Sequence, residues 1–183
     1  GLGGGVVGDI AGLVASLYLR GVSYVSIPTT TLAQMDSSVG GKVAINLNGV
    51  KNVVGTFYHP QKVIIDQDTL KTLPKSEYNS GIVEAVKAGI LFDEKLFNLI
   101  LNEDISLNIE EIIIRAINCK KVIVEIDERD FGQRRLLNFG HTLGHAFEAK
   151  YKFSHGQSVM LGMIYTVDNI ELKTQLVKIA KKL

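Results

Sequence analysis

Apolar and polar positions change rhythm part-way along the chain. Up to about residue 72, short apolar runs alternate with glycine-rich stretches, and beyond it apolar residues recur at three- and four-residue spacing almost without a break. Residues 3 to 8 predict a glycine-rich turn, residues 9 to 19 a helix ended by Arg20-Gly21, and residues 22 to 27 a strand closed by Pro28. A short helix is expected over residues 31 to 37. From 39 to 60 the chain is rich in Gly and Asn, and the broken alternation of Val43, Ile45 and Leu47 predicts loop and hairpin. Residues 62 to 66 predict a short buried strand. After Leu73-Pro74, helical spacing runs through 75–92, 93–101, 109–126, 137–151 and 155–172, and residues 177 to 183 form an amphipathic helix without a stop signal. The expectation is an α/β part over 1–72 followed by an all-α part over 73–183, and clefts between two such parts are common ligand sites.

Composition narrows the class. Apolar residues make up 46% of the 183 and charged residues 21%, which suits a globular protein with a core. The net charge of +1 supplies no basic field for nucleic acid. The single cysteine, Cys119, rules out a disulfide framework, fits a reducing, cytoplasmic compartment, and sits in an apolar helical pattern as a small core residue. No stretch reaches the ~18 consecutive apolar residues of a membrane span, so no membrane partner is expected. No signal peptide is visible. Both ends read as cut: a glycine loop opens the chain where a buried strand normally precedes it, and a helix without a stop closes it.

Two glycine clusters carry phosphate-binding character. Gly3-Gly4-Gly5-Val6-Val7-Gly8 matches G-x-G-x-x-G, in which glycines let the backbone approach a pyrophosphate and the next helix N-terminus favours its charge. The acidic ribose ligand expected ~20 residues later is missing, since no Asp or Glu occurs between Asp9 and Asp36. A structural turn is the alternative. Asp36-Ser37-Ser38-Val39-Gly40-Gly41-Lys42 is not a Walker A loop, because its first glycine is absent and Val43 stands where a Ser or Thr would hold magnesium. Lys42 and Lys51-Asn52 remain candidates for a phosphate, against a reading as solvated surface lysines.

Three of the four histidines fall within fifteen residues. His141 and His145 are spaced i, i+4 on one helix face, and His155 opens the next helix after a short loop, so neutral imidazoles can converge as zinc requires. A carboxylate suits the remaining ligand, and spacing alone leaves Glu77, Glu84, Glu125, Glu128 and Glu148 all eligible. His59, beside Pro60 in a loop, has no such company and is set aside. Glu84 and Lys87 stand i, i+3 among small apolar residues, which favours a buried pair over an exposed one. Arg134 and Asn138, just before His141, lie near any cleft that His141 faces.

Taken together, these segments resemble 3-dehydroquinate synthases of the shikimate pathway, and the resemblance runs through almost the whole chain. It rests on Gly3-Gly4-Gly5-Val6-Val7-Gly8-Asp9, Tyr18-Leu19-Arg20-Gly21, Pro28-Thr29-Thr30-Thr31-Leu32-Ala33-Gln34 and Asp36-Ser37-Ser38-Val39-Gly40-Gly41-Lys42. It continues through Gly49-Val50-Lys51-Asn52, Asp66-Gln67-Asp68-Thr69-Leu70, Asp127-Glu128-Arg129 and Leu137-Asn138-Phe139-Gly140-His141-Thr142-Leu143-Gly144-His145-Ala146. The fold it implies is the C-terminal part of a Rossmann-like NAD domain plus a helical metal-binding domain. It also accounts for the missing acidic residue, which that family supplies from an earlier part of the domain.

The resemblance implies Glu84, His141 and His155 as ligands of a divalent metal, zinc first and cobalt second. It implies NAD contacts from Gly4, Gly5, Val6, Gly8, Asp9, Thr29, Thr30, Lys42 and Lys51. Lys42, Asn52, Asn138 and His145 resemble the phosphate and proton-transfer groups, Lys120 and Arg134 the clamp on a substrate carboxylate, and Asp36 and Lys87 the binders of substrate hydroxyls. Arg20 resembles an arginine lent to a neighbouring subunit, which implies a homodimer. The implied partner is a small phosphorylated keto acid, 3-deoxy-D-arabino-heptulosonate 7-phosphate, converted to 3-dehydroquinate and phosphate. The alternatives are a sister sugar-phosphate cyclase of the 2-deoxy-scyllo-inosose or valiolone type, or a non-catalytic fragment.

Overall fold

The computed structural model describes all of residues 1–183. Strand β1 (Leu2–Gly3) leads into helix α1 (Gly5–Leu17), and β2 (Val25–Pro28) and β5 (Lys62–Val63) complete a parallel three-stranded sheet in the order β1-β2-β5. Between them, β3 (Lys42–Leu47) and β4 (Val50–Phe57) form an antiparallel hairpin. Its two-residue turn is Asn48-Gly49 with φ of 51° and 79°, the left-handed pair that a type I′ turn demands. The helices follow: α2 (Lys75–Phe92), α3 (Glu94–Asn102), α4 (Ile109–Ile126), α5 (His141–Tyr151), α6 (His155–Thr166) and α7 (Ile170–Lys182). None is long and apolar enough to cross a membrane.

The main core lies among the helices. Ile82 and Val86 of α2, Leu96 and Ile100 of α3, Ile112 of α4, Val159 and Met163 of α6, and Leu176 and Ile179 of α7 are sealed from solvent in one cluster. Full burial of side chains of this size stabilises by about 1.5–3 kcal/mol each. Cys119 is buried at the same core, as its apolar setting predicts. From Ser80 to Gly89 every residue of α2 is buried, so this helix is enclosed on all sides.

Several boundaries differ from the sequence pattern. Helix α1 starts at Gly5, so most of the expected glycine turn is already helical, and it gives way to a 3₁₀ turn at Tyr18–Arg20 where Leu19 and Arg20 have positive φ. The strands expected over 22–27 and 62–66 shorten to β2 and β5. The short helix expected over 31–37 is present, with its Ala33–Ser37 part wound as a π-helix. The helix expected from residue 137 begins at His141, because Gly140 is left-handed (φ 79°) where α6 presses on it; residues Gln133–Asn138 form a 3₁₀ turn instead. The helix expected over 155–172 stops at Thr166. Asn169 then caps α7, its side-chain oxygen accepting from the Leu172 N–H at 2.9 Å.

Candidate metal centre and substrate cleft

Backbone packing brings the histidines together. A Cβ on Gly162 would lie 1.9 Å from the Gly140 carbonyl oxygen, and one on Gly144 would lie 3.0 Å from the Ser158 carbonyl oxygen. These glycines let α5 and α6 touch backbone to backbone. His141 is the first residue of α5. His155 is the first of α6, where Ser154 and Gln157 form a capping box that fixes the start of the helix. Both imidazoles reach Glu84 from α2: the Glu84 Oε1 lies 3.2 Å from His155 Nε2 and 3.6 Å from His141 Nε2. One ligand atom from each of the three falls within 4.8 Å of the others.

The electrostatics suit a cation. Burial pushes the Glu84 carboxyl up, but the adjacent Lys87 ammonium, the His155 hydrogen bond and the His141 charge together hold it well below the usual carboxylate range. Lys87 donates to the other Glu84 oxygen, and both side chains are almost wholly buried. Burial, helped by Lys87, lowers His141, whereas the closer hydrogen bond to Glu84 raises His155 against its own burial. Two imidazoles and one carboxylate are the donor set of a His₂Glu zinc site, which leaves a coordination position for substrate. The donors therefore fit a divalent metal. Of the five eligible carboxylates, Glu84 is the one that meets the histidines. His145 stays outside the triad, with its ring edge-on to His141 at 5.5 Å.

A second group of buried charges adjoins the first. Lys120 of α4 pairs with Asp36 Oδ1 at 2.5 Å and also donates to the Asp36 carbonyl. Arg134 is 3% exposed and donates to the carbonyls of Glu128 (2.6 Å) and Gly40 (3.1 Å). Burial lowers the Lys120 pKa, with Arg134 and Lys87 adding repulsion, and burial likewise lowers Arg134. Lys87, Lys120 and Arg134 thus converge, with Glu84 and Asp36 paired to the two lysines and Asp130, Asp36, Asp127 and Glu128 acting on Arg134.

The remaining residues line the α/β side. Gly3, Gly4, Gly5, Gly8 and Asp9 border a groove that also includes Ser37, Ser38 and Lys42. Gly4 precedes α1 without any side-chain cap, so the first N–H groups of that helix are available to an anion. A Cβ on Gly4 would press the Thr30 methyl at 3.0 Å, and the Thr29 N–H donates to the Gly3 carbonyl at 2.9 Å. Val6 projects into solvent on α1. Burial raises the Asp9 carboxyl to about 6. Asp9, Lys42 and Asn52 share a cleft of about 440 Å³ against the hairpin. Lys42 and Lys51 are each ion-paired across to the helical part, with Asp130 and Glu148 respectively. Asn138 is exposed at the end of its 3₁₀ turn. Arg20 lies at the exposed tip beyond α1, makes no ion pair, and is not brought to the site within this chain.

Sequence reasoning missed four polar residues that hold this arrangement. Thr31, fully buried, sits within hydrogen-bonding reach of the Glu77 (3.0 Å) and Tyr78 (2.8 Å) carbonyls and ties the short helix over 31–37 to α2. His59, set aside for lack of company, meets Glu128 at 3.0 Å and packs over Gly41. Asp130 and Glu148 were not singled out as partners of Lys42 and Lys51; nothing in their local spacing marks them.

Comparison with known proteins bears on the family and the fold. The family model described as 3-dehydroquinate synthase N-terminal matches residues 1–80, and the one described as 3-dehydroquinate synthase C-terminal matches residues 81–182. A 3-dehydroquinate synthase from Dictyoglomus thermophilum is 54% identical over 171 residues, covering 88% of this chain and 48% of the relative. One from Clostridium perfringens is 53% identical over 169 residues, covering the same shares of the two chains. The chain thus spans about half the length of the curated relatives it matches. Among solved structures, 2-epi-5-epi-valiolone synthase from Streptomyces hygroscopicus, with NAD+ and Zn2+ bound, superposes with a TM-score of 0.88 at 28% identity over 98% of this chain and 55% of that one. A 2-deoxy-scyllo-inosose synthase complexed with carbaglucose-6-phosphate, NAD+ and Co2+ superposes with a TM-score of 0.87 at 27% identity over 99% of this chain and 54% of that one. The fold is that of the sugar-phosphate cyclases, and the chain belongs to the 3-dehydroquinate synthase family.

Proposed function

We propose that this chain provides the metal- and substrate-binding part of a 3-dehydroquinate synthase, acting on 3-deoxy-D-arabino-heptulosonate 7-phosphate to give 3-dehydroquinate and phosphate. The observation that carries the reading is the Glu84, His141 and His155 triad set beside the buried cations Lys87, Lys120 and Arg134. When bound, NAD supplies transient removal and return of a hydride, and a divalent metal, zinc or cobalt, polarises the reacting oxygen.

The chain's own residues then have distinct work. Glu84, His141 and His155 hold the metal, and Lys87 and Asp36 orient substrate hydroxyls beside it. Lys120 and Arg134 bind the substrate carboxylate; two cations buried side by side there support a keto acid. Gly4, Gly5, Val6, Gly8, Asp9, Thr29, Thr30 and Lys51 line the dinucleotide site, with residues 1–72 as its domain and 73–183 as the helical one. Lys42, Asn52, Asn138 and His145 hold the phosphate, so that a phosphate oxygen takes the proton lost in elimination and no long-range transfer is needed. Arg20 serves the neighbouring subunit of a homodimer. Setting and chemistry are those of a cytoplasmic enzyme.

The second reading is a sister cyclase, the class to which the two solved structures above belong. Substrates of such cyclases that lack a carboxylate would leave Lys120 and Arg134 unmatched. The test is turnover of the heptulosonate phosphate by the protein at its full natural length, with NAD and zinc, before and after chelation. Metal-dependent phosphate release with 3-dehydroquinate formed is expected. Release of phosphate only from a sugar phosphate without a carboxylate would replace this reading with the second.

A further inference from the structure

The β3–β4 hairpin is joined to the helical part by few polar contacts. The side-chain hydrogen bonds from residues 42–57 to that part are two ion pairs, Lys42 with Asp130 at 2.5 Å and Lys51 with Glu148 at 3.0 Å. One further contact places the Arg129 guanidinium 5.2 Å from the centre of the Phe57 ring. The hairpin itself is poorly buried: residues 47 to 56 are all exposed.

Both carboxylates are placed rather than incidental. Asp130 has φ of 61°, a left-handed backbone that Asp tolerates at some cost, and this aims its side chain at Lys42. Only one Asp130 oxygen is used; Oδ1 is enclosed and has no hydrogen-bond partner, so the pair is incomplete. Glu148 lies one turn along α5 from His145, and its carboxyl is lowered chiefly by the Lys51 hydrogen bond, with smaller help from His155 and His145.

We infer that Asp130 and Glu148 are positioning residues that occupy Lys42 and Lys51 as surrogate anions, and that a phosphate oxyanion displaces them when it binds. The inference rests on the reading of Lys42 and Lys51 as phosphate-facing groups. The lysine side chains are 51% and 71% exposed, so each pair is a weak, screened interaction that a multiply charged ligand outcompetes. Exchange of these pairs sets affinity against ambient anions. Substrate phosphate and dinucleotide pyrophosphate share this chemistry, and the two arms of the experiment separate them.

The experiment is calorimetric titration of inorganic phosphate and, separately, of NAD into the full-length protein, Asp130→Asn and Glu148→Gln, each repeated with Lys42→Met or Lys51→Met. Removing the internal competitor tightens one of the two ligands by about two- to fivefold. The ligand that responds identifies which oxyanion each lysine meets. In the matching lysine-less background the gain disappears, because there is no longer a pair to exchange. Unchanged or weaker affinity for both ligands overturns the inference. So does a gain that survives loss of the lysine, since that is a general effect of charge. Turnover plays no part in these readings, so failure of the catalytic reading and failure of this one are separately visible.

Discussion

Helix α2 and the β3–β4 hairpin both carry proposed site residues, and they are built in opposite ways. Glu84 and Lys87 lie in a helix whose middle ten residues are all buried, so their side chains have one place to go and each needs the other. Lys42, Lys51 and Asn52 lie on a hairpin exposed along most of its length, tied to the helical part by two ion pairs with exposed lysines. Metal ligands must be fixed before the metal arrives, and enclosure provides that. Groups that meet a mobile phosphate are better placed on an element whose contacts can be traded.

The largest effect that sharpens this contrast is expected from Glu84→Ala. It leaves the Lys87 ammonium buried without a partner, which costs about 3–5 kcal/mol, and it removes a proposed metal ligand. Denaturant unfolding and metal content measure both. Next is Gly162→Ala, whose new methyl meets backbone at the Gly140 carbonyl. A loss of about 1–3 kcal/mol is expected, together with weaker metal binding as α5 and α6 are pushed apart. A pH series on Asp9→Asn comes third. Burial raises Asp9 to about 6 from 3.8, so the folded protein takes up a proton there before the unfolded chain does. Wild-type stability at this group therefore rises as pH falls from above 6 towards 4, and the penalty is full at neutral pH. With Asp9 half-exposed and solvent-screened, Asp9→Asn is expected to stabilise by about 1 kcal/mol at pH 7.5, with the difference closing below about pH 4. The smallest is Lys51→Met, expected to change stability by less than about 0.5 kcal/mol because its ion pair is exposed. A loss from Lys51→Met as large as that from Glu84→Ala would erase the distinction between the two regions.

The two regions also differ in how far they could be read from sequence. In the helical part, continuous helical spacing gave the elements, and charged residues inside the apolar stretch around Glu84 marked a buried pair. The histidine cluster was visible as spacing, yet spacing left five carboxylates eligible; the choice of Glu84 came from family resemblance, and the packing of α2 against α6, and of α6 against α5, brings it to the histidines. The break at Gly140 was not legible, because it depends on α6 pressing on that residue, a contact between elements. In the hairpin, the broken alternation predicted the element, and the Asn48-Gly49 turn was a local signal present but not used. The partners Asp130 and Glu148 were beyond reach, since each is defined only by a lysine more than eighty residues away.

The most direct measurement is metal analysis combined with X-ray absorption on the full-length protein, wild type and His155→Ala, after loading with zinc. The account requires one tightly held metal per chain, with a first shell of two imidazoles and carboxylate oxygen, and loss of that metal in the variant. A wild-type protein that holds no stoichiometric metal, or a variant that keeps an unchanged first shell, would contradict the assignment of Glu84, His141 and His155 as its centre.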